Sequence, residues 1–169
     1  DAVNPMIGAN YRLGATELYG SVAKKTKFPN LFQLYSSSGG NPELDPEESI
    51  NYTVGVKHTF SKRMRVELAG YHHDISDWIS RDYYTDDYTG EELYDNIEEI
   101  AITGFEALMR FQPHEAVRIN LDYTYNDAEN ESSNRASDEV AGVPESKFGA
   151  GFDLFFPMFF SRLSLRGIY

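Results

Sequence analysis

The chain has 169 residues, 41% hydrophobic and 25% charged, with no cysteine and a formal net charge of −12. That length makes one domain, 1–169, large enough to bury a core. The charge excludes ordinary nucleic-acid binding, which needs a basic face, and the missing cysteine excludes a disulfide scaffold or a thiolate metal centre.

Taken in chain order, the dominant periodicity is 2 rather than 3.6. Weak alternation marks strands at Ile7–Leu13 and Thr16–Lys25. It is strongest at Ile50–Phe60, where Ile50, Tyr52, Val54, Val56 and Phe60 alternate with Asn51, Thr53, Gly55, Lys57 and Thr59. Met64–Ile75 follows, then the long stretch Tyr94–Phe111, which is expected to kink at Gly104. Val117–Tyr125, Lys147–Leu154 and Phe159–Tyr169 complete eight expected strands. On this reading Val54, Val56, Ile119, Leu121, Phe152 and Leu163 share one apolar face. Lys57, Glu106, Arg110, Arg118, Asp122, Asp153 and Arg166 point the other way.

The connections alternate in length. Short ones follow Leu13, Phe60, Phe111 and Phe156; long ones span about 26–48, 76–93 and 127–145. Phe60, Phe111, Phe155, Phe156, Phe159 and Phe160 lie beside the short turns, while Tyr52, Tyr123 and Tyr125 lie near the long loops. Tight turns at one end, long loops at the other and an aromatic belt at each define an antiparallel, up-and-down transmembrane β-barrel. No apolar run approaches the ~18 residues of a membrane-spanning helix, but a barrel crosses with strands and needs none. A soluble β-sandwich, its apolar faces meeting each other, is the competing architecture.

Two boxes carry a family resemblance. Lys27-Phe28-Pro29-Asn30-Leu31-Phe32-Gln33-Leu34-Tyr35 is a degenerate form of the first, and Gly40-Asn41-Pro42-Glu43-Leu44-Asp45-Pro46-Glu47-Glu48-Ser49 matches the second at nearly every position. Together with Tyr71-His72-His73-Asp74-Ile75-Ser76-Asp77, Thr103-Gly104-Phe105-Glu106-Ala107 and Gly142-Val143-Pro144, they resemble the later barrel strands of a TonB-dependent outer-membrane receptor. The resemblance implies a segment of about eight strands from a barrel of about 22, with the plug domain and the TonB-contacting segment outside this chain. It implies a bacterial outer-membrane location and active uptake of a scarce nutrient, a ferric siderophore being the commonest. The partners implied are lipid, TonB, the plug and a small iron chelate; neither nucleic acid nor a cofactor is implied. In the haem receptors a His often lies between the two boxes, and residues 28–42 contain none. Strand direction supports the fragment reading, since with periplasmic short turns both termini face outward. Asp1-Ala2-Val3-Asn4-Pro5 has neither the basic start nor the apolar stretch of a leader, so the chain is read as mature or as lacking its beginning. The alternative is a small, self-contained structural or adhesive barrel, whose lumen side chains alone would fill.

Candidate sites are few. His72-His73-Asp74 with Asp77 has metal-ligating side chains, yet adjacent strand residues face opposite ways, so His72 and His73 do not share an ion. Residues 74–99 hold Asp74, Asp77, Asp82, Asp86, Asp87, Glu91, Glu92, Asp95, Glu98 and Glu99 against the single base Arg81, which reads as a solvated face. Trp78, Arg81, Tyr83, Tyr84 and Tyr88 are the ligand-facing candidates, because Tyr and Trp give large contact area at low entropy cost; loop packing or interface anchoring is the competing role for these aromatics. No nucleophile–base pair, phosphate loop or shielded carboxylate pair is present, so no enzyme activity is expected.

Overall fold

The computed structural model describes residues 2–82, 93–132, 140, 142–156 and 161–169. Among them, eight strands form one antiparallel sheet: β1 (Met6–Leu13), β2 (Thr16–Lys27), β3 (Glu47–Ser61), β4 (Met64–Asp82), β5 (Leu93–His114), β6 (Val117–Asn130), β7 (Ser146–Phe156) and β8 (Ser161–Ile168). Each pairs with its sequence neighbours in the order β1 to β8. No β1–β8 pairing closes the sheet among the described residues. The short turn at 61–63 and the connection 83–92 lie at opposite ends of β4, as the alternating connections require.

Register confirms the two faces. Val56 pairs with Leu68, Leu68 with Ala107, Ala107 with Tyr123 and Tyr123 with Phe148, and directly opposed residues share a face. Ile119 pairs with Phe152, Phe152 with Leu165, and Leu163 with Leu154, placing all of these with Val56. Lys57 opposes Glu67, and Arg118 opposes Asp153, on the polar face. The apolar face is left uncovered: Val54 is 68% exposed, Leu68 48% and Leu165 60%. A soluble sheet buries such a face against a second layer, whereas a barrel wall presents it to lipid. No second layer stands on it among the described residues.

The strands outrun their sequence-based bounds. β4 continues to Asp82 and β5 begins at Leu93, so Ser80 pairs with Asp95 and Asp82 with Leu93 where a loop at 76–93 was expected. β6 likewise runs to Asn130. The expected kink at Gly104 is absent, since register passes unbroken through Gly104 on both sides. Phe155 leaves the proposed aromatic belt: it follows Asp153 on the polar face, its ring 5.1 Å from the Arg118 guanidinium carbon. Phe159 and Phe160 lie outside the described residues. Within 26–48 sits a helix, α1 (Leu31–Tyr35). Asn30 caps it by accepting from the Gln33 backbone amide, and the Gln33 side chain accepts from the Asn30 amide, closing a capping box.

Buried apolar side chains gather at the long-loop end. Ile75, Ile100 and Ile102 form the core cluster, with Trp78, Tyr71, Ala128, Val140 and Val143 packed against it. Among the described residues Asp77 is the one non-glycine residue with positive φ, at 56°. In an unbroken strand Ile75 and Trp78, three residues apart, would face opposite ways. The left-handed residue between them lets both reach the same cluster.

Candidate functional site

The long-loop end is built by tethering the 28–46 connection onto the extended β4–β5 hairpin. The Asn41 side chain donates to the Tyr94 carbonyl at 3.1 Å, and the Tyr94 amide donates to Gly39 O at 2.9 Å. Asn96 is the central tie: its Oδ1 accepts from the Asp45 amide at 2.9 Å, and its Nδ2 donates to the carbonyls of Asp45 at 3.1 Å and Asp77 at 2.7 Å. Gly40 permits the turn beneath, because a Cβ there would stand 2.7 Å from the Ser36 carbonyl oxygen. Glu47, 6% exposed, accepts through Oε1 from Lys27 Nζ at 2.8 Å and from the Ile79 amide at 3.1 Å. The second box is thus the anchor of a long loop.

This anchoring holds α1 with its apolar side out. On α1 Leu31, Phe32 and Tyr35 are 76%, 60% and 68% exposed, with Tyr35 one turn from Leu31 and Phe32, and Phe28, in the extended segment before the cap, is 59% exposed. The Phe32 ring meets Tyr94 edge-on at 6.3 Å. On the polar face below lies an open pocket of about 540 Å³, lined in part by Tyr71, His73, Glu106, Asn126 and Lys147 and roofed by Val143 and Pro144. His73 stacks on Tyr71 at 5.0 Å. The Tyr71 hydroxyl donates to the Asn126 side chain, and Asn126 in turn donates to Pro144 O at 2.7 Å, holding the roof.

Of the sequence-based candidates, Trp78 is half-buried against the isoleucine cluster, with Lys27 Nζ 5.7 Å from its ring centre. Arg81 is placed by its backbone alone, paired with Tyr94. Tyr83, Tyr84 and Tyr88 lie outside the described residues. His72 and His73 separate onto opposite faces. His72 contacts Thr103 at 2.8 Å and Asp74 at 2.7 Å on the apolar side, while His73 lines the pocket. No group of three or more metal-ligating side chains forms among the described residues. Glu106 was expected on this face, but its grouping with Tyr71 and Asn126 was not, because cross-strand register, not spacing, brings them together.

Asp77 has its carboxyl held above the usual range by burial, reinforced by the negative charges of Asp45 and Glu48. A raised folded-state value makes folding favour the protonated form, so this contribution is present at low pH and lost as pH rises through the folded value. Asp77→Asn removes the charge while keeping a residue that tolerates positive φ. The loop end should then resist protease better at pH 7 than in the parent, and the difference should vanish at low pH. Equal protection at both pH values would refute the assignment.

The chain matches the model of the TonB dependent receptor-like, beta-barrel family over residues 1–168, and it belongs to that family. It is 28% identical over 120 residues to the iron-regulated outer membrane virulence protein of Vibrio cholerae, covering 66% of this chain and 18% of that protein. Among solved structures it resembles the copper transporter OprC, with a TM-score of 0.69 and 18% identity over 88% of this chain and 23% of the other. It also resembles the siderophore receptor PirA from Pseudomonas aeruginosa, with a TM-score of 0.67 and 19% identity over 98% of this chain and 30% of the other. The chain therefore spans about a fifth of the length of the curated relative it matches. The family and these neighbours are receptors and transporters, not enzymes.

Proposed function

We propose that this chain is part of the barrel wall and outer vestibule of an outer-membrane receptor that takes up an iron chelate, a ferric siderophore, using energy from TonB. The observation that carries the reading is the long-loop end itself. An exposed apolar stripe on α1 and a polar, aromatic pocket sit at the long-loop end of a sheet whose other face is apolar and, among the described residues, uncovered. Lipid covers the apolar face; the plug and the remaining strands complete the lumen. Arg81, Tyr83, Tyr84 and Tyr88 are the ligand-facing set, and Trp78, packed on the isoleucine cluster, supports the hairpin that carries them. The one base in an acidic hairpin, Arg81, offers an anionic chelate its local point of attraction. A self-contained eight-stranded structural barrel gains no support from a sheet whose β1 and β8 do not pair.

The test uses the full-length receptor in cells starved of iron. Uptake of radioiron bound to catecholate, hydroxamate or carboxylate chelators should proceed for at least one class and stop when TonB is removed. Arg81→Ala should weaken binding of that chelate about tenfold, the size of a lost charge-assisted contact. TonB-dependent uptake of copper or cobalamin, with none of any iron chelate, would overturn the reading.

A further inference from the structure

Four ladders, β1–β2, β3–β4, β5–β6 and β7–β8, are joined by short connections, and a tight turn fixes strand register. Three, β2–β3, β4–β5 and β6–β7, are joined only through 28–46, 83–92 and 131–145, which impose no register. Alternation does not complete the specification. A one-residue slip is forbidden because it exchanges the faces, but a two-residue slip keeps every side chain on its own face.

Each of these three ladders carries the same feature on the polar face. Tyr19 lies directly opposite Gly55, Tyr71 opposite Gly104, and Asp122 opposite Gly149. A Cβ on Gly55 would collide with the Tyr19 ring, on Gly104 with the Tyr125 carbonyl oxygen as well as the Tyr71 phenol, and on Gly149 with the Asp122 carboxyl. The other strand glycines are less crowded: a Cβ would meet its nearest neighbour at 3.3 Å on Gly8, 3.4 Å on Gly20, 3.6 Å on Gly151 and 3.9 Å on Gly70, and Gly167 faces open space. The tyrosines also reach past their glycines to the next strand. The Tyr19 hydroxyl donates to Glu67 on β4 at 2.8 Å, and the Tyr71 hydroxyl bonds Asn126 on β6.

We propose that the two tyrosine-over-glycine pairs set the register of β2–β3 and β4–β5; in β6–β7 a slip can place Asp122 opposite Gly151, so that pair does not fix its ladder. A slip by two residues would put Tyr19 opposite Thr53 or Lys57 and Tyr71 opposite Ile102 or Glu106. In every case a side chain then fills the space the ring needs. The pairs do for β2–β3 and β4–β5 what turn geometry does for the short-turn ladders, and they locate that part of the lumen wall before any ligand arrives.

The chain has no cysteine, so register can be read by engineered disulfides in the full-length receptor purified from outer membranes. Cysteine at Ala23 is paired in turn with cysteine at Asn51, the native partner, and at Ser49 or Thr53, the slipped partners. The parent should cross-link at the native pair. In Tyr19→Ala the ratio of native to slipped product should fall about fivefold, the size of a strong cross-strand pair. Tyr19→Phe, which keeps the ring and loses the bond to Glu67, should retain the native ratio. Exchange of the pair, Tyr19→Gly with Gly55→Tyr, should restore it. A control pair across β3–β4, Thr59 with Arg65, should not change in any variant. Lys27→Ala tests the Lys27–Glu47 ion pair as a rival determinant and should leave the ratio unaltered. If Tyr19→Ala assembles and cross-links only at the native pair, the proposal fails. It fails equally if Lys27→Ala, rather than Tyr19→Ala, releases the slipped product.

Discussion

Asn96→Ala should loosen the 42–46 end of the loop on the β4–β5 hairpin, where the ties of Asn41 and Gly39 to Tyr94 remain, and on the proposed function it should lower uptake while leaving the barrel intact. The side chain satisfies one amide and two carbonyls drawn from two different segments, Asp45 and Asp77. Alanine leaves all three without that partner, at about 1 kcal/mol for each lost bond and more where water does not replace it. Roughly 3 kcal/mol is enough to open a local unit whose stability lies well below that of the whole sheet. The Asp45 amide should exchange hydrogen far faster, and protease added to intact cells should cleave near Pro42–Pro46. Heat-modifiable migration of the barrel should stay as in the parent. Asn96→Asp is the sharper variant, because a carboxylate accepts where the amide donated and sits beside Asp77. It should damage the site at least as much as alanine. A receptor with normal uptake and a protected Asp45 amide in both variants would show that the ties are dispensable.

The same residue shows why sequence legibility ended where it did. Strands β3, β6 and β7 were readable because lipid on one side and water on the other force strict alternation over residues such as Val54, Val56, Ile119 and Leu121. Beyond the apolar band both faces of β4 and β5 are free of that demand. Ser76–Asp82 therefore carries polar and acidic residues on either side, and it reads as loop although it pairs as strand. Helix α1 left a signal that was passed over. Asn30 and Gln33 stand at capping-box spacing before Leu34 and Tyr35. Gly104 misled for a related reason: a glycine in a strand marks a bend or a close approach, and only the register, which sets Tyr71 over it, tells which. Of the ligand-facing candidates, Trp78 was identified as exposed loop, yet its ring helps cover the isoleucine cluster.

Glu47 gives the second large effect, and its variants separate two explanations. The carboxylate makes an ion pair with Lys27 and a hydrogen bond with the Ile79 amide. The Lys27 side chain is 60% exposed, so water screens the pair, and exposed pairs of this kind contribute at most about 1 kcal/mol. Ile79 is 6% exposed and its amide has no route to solvent, so removing its acceptor costs about 1–3 kcal/mol. The expected order follows. Glu47→Ala should destabilise the loop end most, freeing the Ile79 amide to exchange and loosening the start of β3. Glu47→Gln keeps a carbonyl oxygen in place and should cost little. Lys27→Ala should fall between, since it also removes the cation over the Trp78 ring, a contact of about 0.5–1 kcal/mol. Raising the salt concentration should narrow the gap between Lys27→Ala and the parent but not that between Glu47→Ala and the parent. Should Gln and Ala prove equally damaging, the charge rather than the Ile79 amide would be the reason Glu47 is buried there.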